Sequence, residues 1–152
     1  MITIRRQLRD NIFTLMNQIS DIQDKHKRPT YDFKGYPAAF VVPSGNEGDY
    51  LTTNENIRVY AFKVWVFQEY DVTNQQRSYD ILMDVTDVIM EKIDEQESPT
   101  SDREMANGIG TGYTLVAVMA TPGRFALDEN EKLLACELTV RCKVTVDLTL
   151  LT

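Results

Sequence analysis

The sequence predicts an α+β domain, an antiparallel sheet of about four strands with two amphipathic helices packed on one face. Three patterns predict it. Apolar residues recur every three or four positions in two stretches, one at the start and one in the middle of the chain. Residues after 133 alternate apolar and polar, the period of a strand with one wet face. The order reads helix, strand, strand, helix, strand, strand, without repeats, and 152 residues suit one domain spanning 1–152.

Ile4, Leu8, Ile12, Leu15, Ile19 and Ile22 share one stripe of a helix predicted over residues 3–25. Lys25, His26, Lys27 and Arg28 then set positive charge at the negative end of the helix dipole, and Pro29 stops the helix. His26 reads as part of that cap, because a general base would need a nucleophile or an acid beside it. Arg5, Arg6 and Arg9 stand at the unfavourable end of the same dipole. They mark either contact with an acidic partner or solvated side chains at a fraying terminus.

Tyr36 to Val42 form a short apolar run closed by Pro43, which suits an outer strand because proline donates nothing to a ladder. Residues 44–56 are a long polar connection in which only Tyr50 and Leu51 are apolar. Connections of that length in compact domains are usually functional or disordered, so this one is expected to project and to offer Tyr50 and Leu51 to a partner. Residues 57–70 predict a strand that is apolar in both phases: Val59, Ala61, Trp65 and Phe67 on one side, Tyr60, Phe62, Val64 and Val66 on the other. Such a strand needs cover on both faces, one from the helices and the other from a neighbouring subunit.

Thr73 and Gln76 have capping-box spacing ahead of a second helix whose buried stripe is Ile81, Leu82, Val85, Ile89 and Ile93. Opposite that stripe run Asp80, Asp84, Asp87 and Glu91, spaced four, three and four apart. Each like-charged neighbour pair costs an isolated helix roughly 0.2–0.5 kcal/mol. Three readings are open: a solvated face, a face for basic groups of another subunit such as Arg5, Arg6 and Arg9, or a Mg²⁺ site of the helical-carboxylate kind. Such a metal site draws carboxylates from two converging elements, and the first helix offers only Asp10, Asp21 and Asp24.

Residues 95–112 read as irregular, with Ser98-Pro99 turning the chain, Ser101 and Glu104 spaced to cap one helical turn, and Gly108, Gly110 and Gly112 in a loop. Gly108 to Gly112 lacks the preceding strand, following helix and lysine of a phosphate-binding loop. Tyr113 to Ala120 is the third strand, ended by Thr121-Pro122-Gly123, and the fourth covers about 133–150. In that last strand Cys136, Leu138, Val140, Cys142, Val144, Val146, Leu148 and Leu150 face the core. The two cysteines, six residues apart on one strand, stand ~20 Å apart and cannot form a disulfide.

Composition narrows the function classes. No stretch reaches the ~20 apolar residues of a membrane span, and the N-terminus has no apolar signal core, so no membrane partner is expected. Residues 1–28 carry six basic and three acidic groups; subtracting that +3 from the total of −7 leaves −10 on the rest. A chain so charged does not bind nucleic-acid backbones broadly. Trp65, Phe67 and Tyr70 have only Arg58 and Lys63 near them to attract phosphate, so packing explains them better than base stacking. No catalytic residues, cofactor or metal site are predicted, and the chain is expected to act through protein contacts and not as an enzyme.

In layout the whole chain resembles the tail-terminator and tail-completion (head–tail neck) proteins of long-tailed bacteriophages. The resemblance lies in the amphipathic opening helix, the run Gly35 to Pro43, and the long aromatic strand Val59 to Phe67 passing into a helix with repeated Asp, with an alternating strand at the end. It implies a virion structural subunit, assembled in the host cytoplasm into a ring, commonly hexameric, at the head-proximal end of the tail. There the ring stops growth of the tail-tube protein and docks to the head-side connector, while genomic DNA passes through the lumen without specific binding. The alternatives are another neck or tail-completion connector, or a monomeric protein-binding module acting through 44–56. The candidate interface residues are Arg5, Arg6, Arg9, Tyr50, Leu51, Asp80, Asp84, Asp87 and Glu91.

Overall fold

The computed structural model describes residues 3–50, 55–97, 104–147 and 149. Helix α1 covers Ile4–Asn17 and α2 covers Gln75–Asp94; the strands are β1 Asp24–His26, β2 Ala38–Tyr50, β3 Glu55–Glu69, β4 Tyr113–Leu127 and β5 Leu133–Asp147. They form one mixed sheet in the order β1-β2-β3-β5-β4. Only β1 and β2 run parallel; every other pair is antiparallel. The α+β class stands, while the sheet has a fifth strand beyond the four expected.

That strand comes from the end of the expected first helix. Thr3 opens α1 by accepting the amide hydrogen of Arg6, and the helix stops at Asn17, not at 25. Ile19 and Ile22 still reach the core through the turns that follow, so the apolar spacing that suggested a longer helix is met by a tighter path. Asp24 to His26 are then extended beside Ala38 to Phe40. The basic cluster therefore does not cap a helix: His26 Nε2 lies 2.9 Å from the Asp24 carboxylate.

Both helices lie on one face of the sheet and close a single core. Leu8, Ile12, Leu15 and Met16 of α1 and Leu82, Val85, Ile89 and Ile93 of α2 meet Phe62, Val64, Leu138, Val140 and Cys142 from the central strands. Burial along β5 alternates residue by residue, as expected from its sequence; Leu148 and Leu150 lie outside the described residues. Both thiols are free and buried, and burial pushes Cys136 up to about 11 and Cys142 up to about 12. Met105, fully buried, anchors the irregular stretch, whose 3-10 turns are Glu95–Glu97 and Glu104–Ala106. Asn11 holds it to α1 by donating to the carbonyls of Met105 and Asn107.

The expected projecting loop 44–56 is mostly strand. β2 continues to Tyr50 through a bulge at Pro43/Gly45, and Tyr50 pairs with Asn56, so β2 and β3 are the arms of one long hairpin. Polar composition suggested a loop, but antiparallel pairing satisfies a polar backbone whatever its side chains. β4 likewise runs past Pro122-Gly123 to Leu127 across a second irregularity between Pro122 and Phe125. Asn74, not Thr73, caps α2 by accepting from the Arg77 amide, while the Asp71 side chain accepts from the Thr73 amide and hydroxyl in the turn before it.

Candidate functional site

The face of the sheet away from the helices has two regions. At one end, the segment between β1 and β2 turns beneath the sheet and lays Tyr31 and Phe33 against Phe67, with ring centroids 5.7 Å and 5.1 Å away, beside Phe40 and Trp65. Part of the second cover that β3 requires is thus supplied by the chain itself. The Asp24 carboxylate fastens the segment by accepting the Lys34 amide hydrogen at 2.9 Å. Burial opposes ionisation of Asp24, yet this amide and the His26 ring hold its carboxyl below the ordinary value. Further along, no helix among the described residues covers the surface, where polar and apolar side chains mix: Lys63 pairs with Glu137 and Thr139, and Arg141 donates to Thr121 across the β5–β4 ladder, with Val59 and Met119 on the same face.

The two flanks of the sheet differ in charge. α1 lies over β2 at one side, and Arg5, Arg6 and Arg9 on it surround an 80 Å³ hollow with Pro43 and Phe62. The walls of the hollow are nearly all apolar, formed by the aliphatic stems of the arginines with Pro43 and Phe62. The Arg5 guanidinium sits 5.5 Å from the Tyr60 ring centre, and Arg9 contacts Asp10 at 2.8 Å. Burial opposes ionisation of Asp10, but the hydrogen bond and charge of Arg9 and the charge of Lys27 outweigh it and hold the carboxyl low.

The opposite flank is formed by α2 and β4. Tyr79 of α2 touches Phe125 of β4, with ring centroids 6.4 Å apart, and Met83 follows one turn later, 41% exposed. Asp80, Asp84, Asp87 and Glu91 are all exposed along the outer face of the same helix. Among the described residues, no three carboxylate, histidine or cysteine side chains converge as a metal site would require. Val116 and Met119 of β4 are 49% and 58% exposed; Met119, opposite Arg141 in the register, lies on the helix-free face of the sheet.

Of the residues singled out in the sequence, the three arginines gather at one flank and the four carboxylates on the outer face of α2. Tyr50 ends β2, and Leu51 lies outside the described residues. Nothing in the sequence marks Pro43 and Phe62 as the floor of the hollow, or Met83, Val116 and Met119 as exposed. Their apolar character pointed to the core. A further cleft of about 430 Å³ opens at the β3–α2 junction between Gln68, Tyr70, Asp71 and Arg77. Among the described residues no helix is long and apolar enough to cross a membrane. No protein-family model matches the chain, and no curated protein matches it in sequence.

Proposed function

We propose that this protein is a structural subunit that joins head to tail with copies of itself into a ring, and that the ring is the terminator at the head-proximal end of a phage tail. The observation that carries the assembly is the placement of unlike surfaces on opposite flanks of one sheet: an arginine-rimmed hollow over β2, and a carboxylate-lined apolar flank at α2 and β4. A surface that complements itself only from the opposite side makes heterologous contacts, which close into rings when the rotation allows.

The sheet edges fit contact through side chains. β1 covers only Ala38 to Phe40, so the rest of the outer edge of β2 has no strand beside it among the described residues, and β4 is the last strand at the other side. Pro43 and Pro122 each lack a ladder donor on these edges, and bulges bend both strands, devices that discourage simple strand addition. The helix-free region of the sheet supplies a third surface for the tail-tube protein or the head-side connector. A net charge of −7 suits a lumen through which DNA slides without sticking.

The test is the mass of the purified protein in solution across a concentration series, by light scattering. The expected result is a closed species near six times 17.4 kDa. A strict monomer up to the highest soluble concentration argues against the reading. The terminal position is tested separately by adding the protein to growing tail tubes, where it should cap them at the head-proximal end.

A further inference from the structure

We propose that Met83 of one subunit seats in the hollow between Arg5, Arg6 and Arg9 of the next, with Asp80 and Asp87 beside the methionine meeting the guanidinium groups at the rim of the hollow. The inference rests on the ring reading above and names the contact that would build the ring.

Size, chemistry and charge agree. The hollow holds 80 Å³. With about 30 Å³ of liquid volume per water, that is room for two or three non-hydrogen atoms, the end of one unbranched side chain. Its walls are apolar, floored by Phe62 and Pro43, so a water there finds few partners and a thioether many. Met83 is 41% exposed on α2, between Tyr79 one turn earlier and the acidic stripe. Asp80 and Asp87 stand at −3 and +4 from it, positions that neighbour a residue on a helix surface, and Asp84 continues the acidic stripe beyond them. An apolar knob with two carboxylates along one side therefore faces an apolar hole lined by three arginines. In such an arrangement a small desolvated centre holds the contact and the charged rim sets partner and register. Knob and hole lie at opposite sides of the sheet, over β4 and over β2, so one subunit cannot satisfy itself and the contact is made with a second copy.

The experiment uses the full chain with Met83→Cys and Arg6→Cys together, treated at neutral pH with a short bismaleimide. Cys136 and Cys142 are buried, so the native thiols stay silent. The expected result is a ladder of cross-linked species extending beyond the dimer, absent from each single-cysteine variant. In the native background, Met83→Ala should raise the concentration at half-assembly roughly tenfold, and Met83→Leu should restore most of it. Dimers from Met83→Cys alone would show a two-fold contact and overturn the proposal. Assembly that persists with no cross-link, or with Met83→Ala unchanged, would overturn this contact and leave the ring standing. A protein that never assembles and never cross-links would overturn both.

Discussion

Gly123 stands where β4 crosses closest to β5: a Cβ there would run into the backbone carbonyl of Glu137. Backbone cannot swing aside as a side chain can, so Gly123→Ala should cost about 1–3 kcal/mol in chemical denaturation and leave the spectrum of the folded state unchanged. An alanine that proves neutral would mean that the irregularity between Pro122 and Phe125 relaxes freely. Three carboxylates, Asp10, Asp24 and Asp71, feed the acid limb of stability. All are held below their ordinary value of 3.8, so each favours the folded state above that pH. Their contribution is lost as pH falls from about 4 through the lower folded-state values. Asp24→Asn should flatten the loss of stability in this window while lowering stability at pH 7, as read from melting curves at fixed ionic strength. A parallel acid limb in the variant would remove Asp24 as a cause.

Among the elements, those with one wet face and one dry face were legible in the sequence, and those whose burial comes from elsewhere in the chain were not. β5 and α2 follow their periodicities because the core lies on a single side of each. β1 could not be read from Asp24-Lys25-His26, three polar residues whose extended state exists only because β2 lies alongside. The hairpin arm 44–50 was hidden for the same reason: its pairing is set by β3 and not by its own composition. At the candidate site the charges could be read from the sequence, whereas the hollow joins Pro43 and Phe62 to a helix remote from both in sequence and could not. The aromatic layer under the sheet gives this element-scale account a test. Phe67 is 5% exposed and Tyr31 is 72% exposed, although their rings touch. Phe67→Ala should cost about 3–5 kcal/mol and Tyr31→Ala within about 0.5 kcal/mol, measured by urea titration. Equal losses would mean that the segment beneath the sheet folds as one cooperative unit with β3 and is more than a cover laid over it.

For the whole molecule, two electrostatic effects oppose each other when subunits meet. Each carries −7 and repels its copies as a whole, while the arginine flank and the carboxylate stripe attract locally. Separation decides which prevails. Chains of this size meet with centres roughly 30–40 Å apart. The Debye length is ~30 Å at 0.01 M salt, ~10 Å at 0.1 M and ~3 Å at 1 M. Net repulsion is therefore felt only at the lowest salt, whereas side chains meeting at a few ångströms keep their attraction until salt approaches molar. Association of the native protein should rise to a maximum near 0.1 M sodium chloride and then fall. Asp84→Arg combined with Asp87→Arg removes two carboxylates and adds two cations opposite Arg5, Arg6 and Arg9. That variant should assemble poorly at 0.1 M and recover in part towards 1 M, where its local repulsion is screened. Sodium sulfate at matched ionic strength should weaken the native assembly less than chloride, because sulfate strengthens burial of the apolar centre. The two proteins should thus respond to salt with opposite slopes above 0.1 M, in sedimentation or light scattering. If both are indifferent to salt, the charged flanks do not meet, and contact between copies must lie on the helix-free region of the sheet.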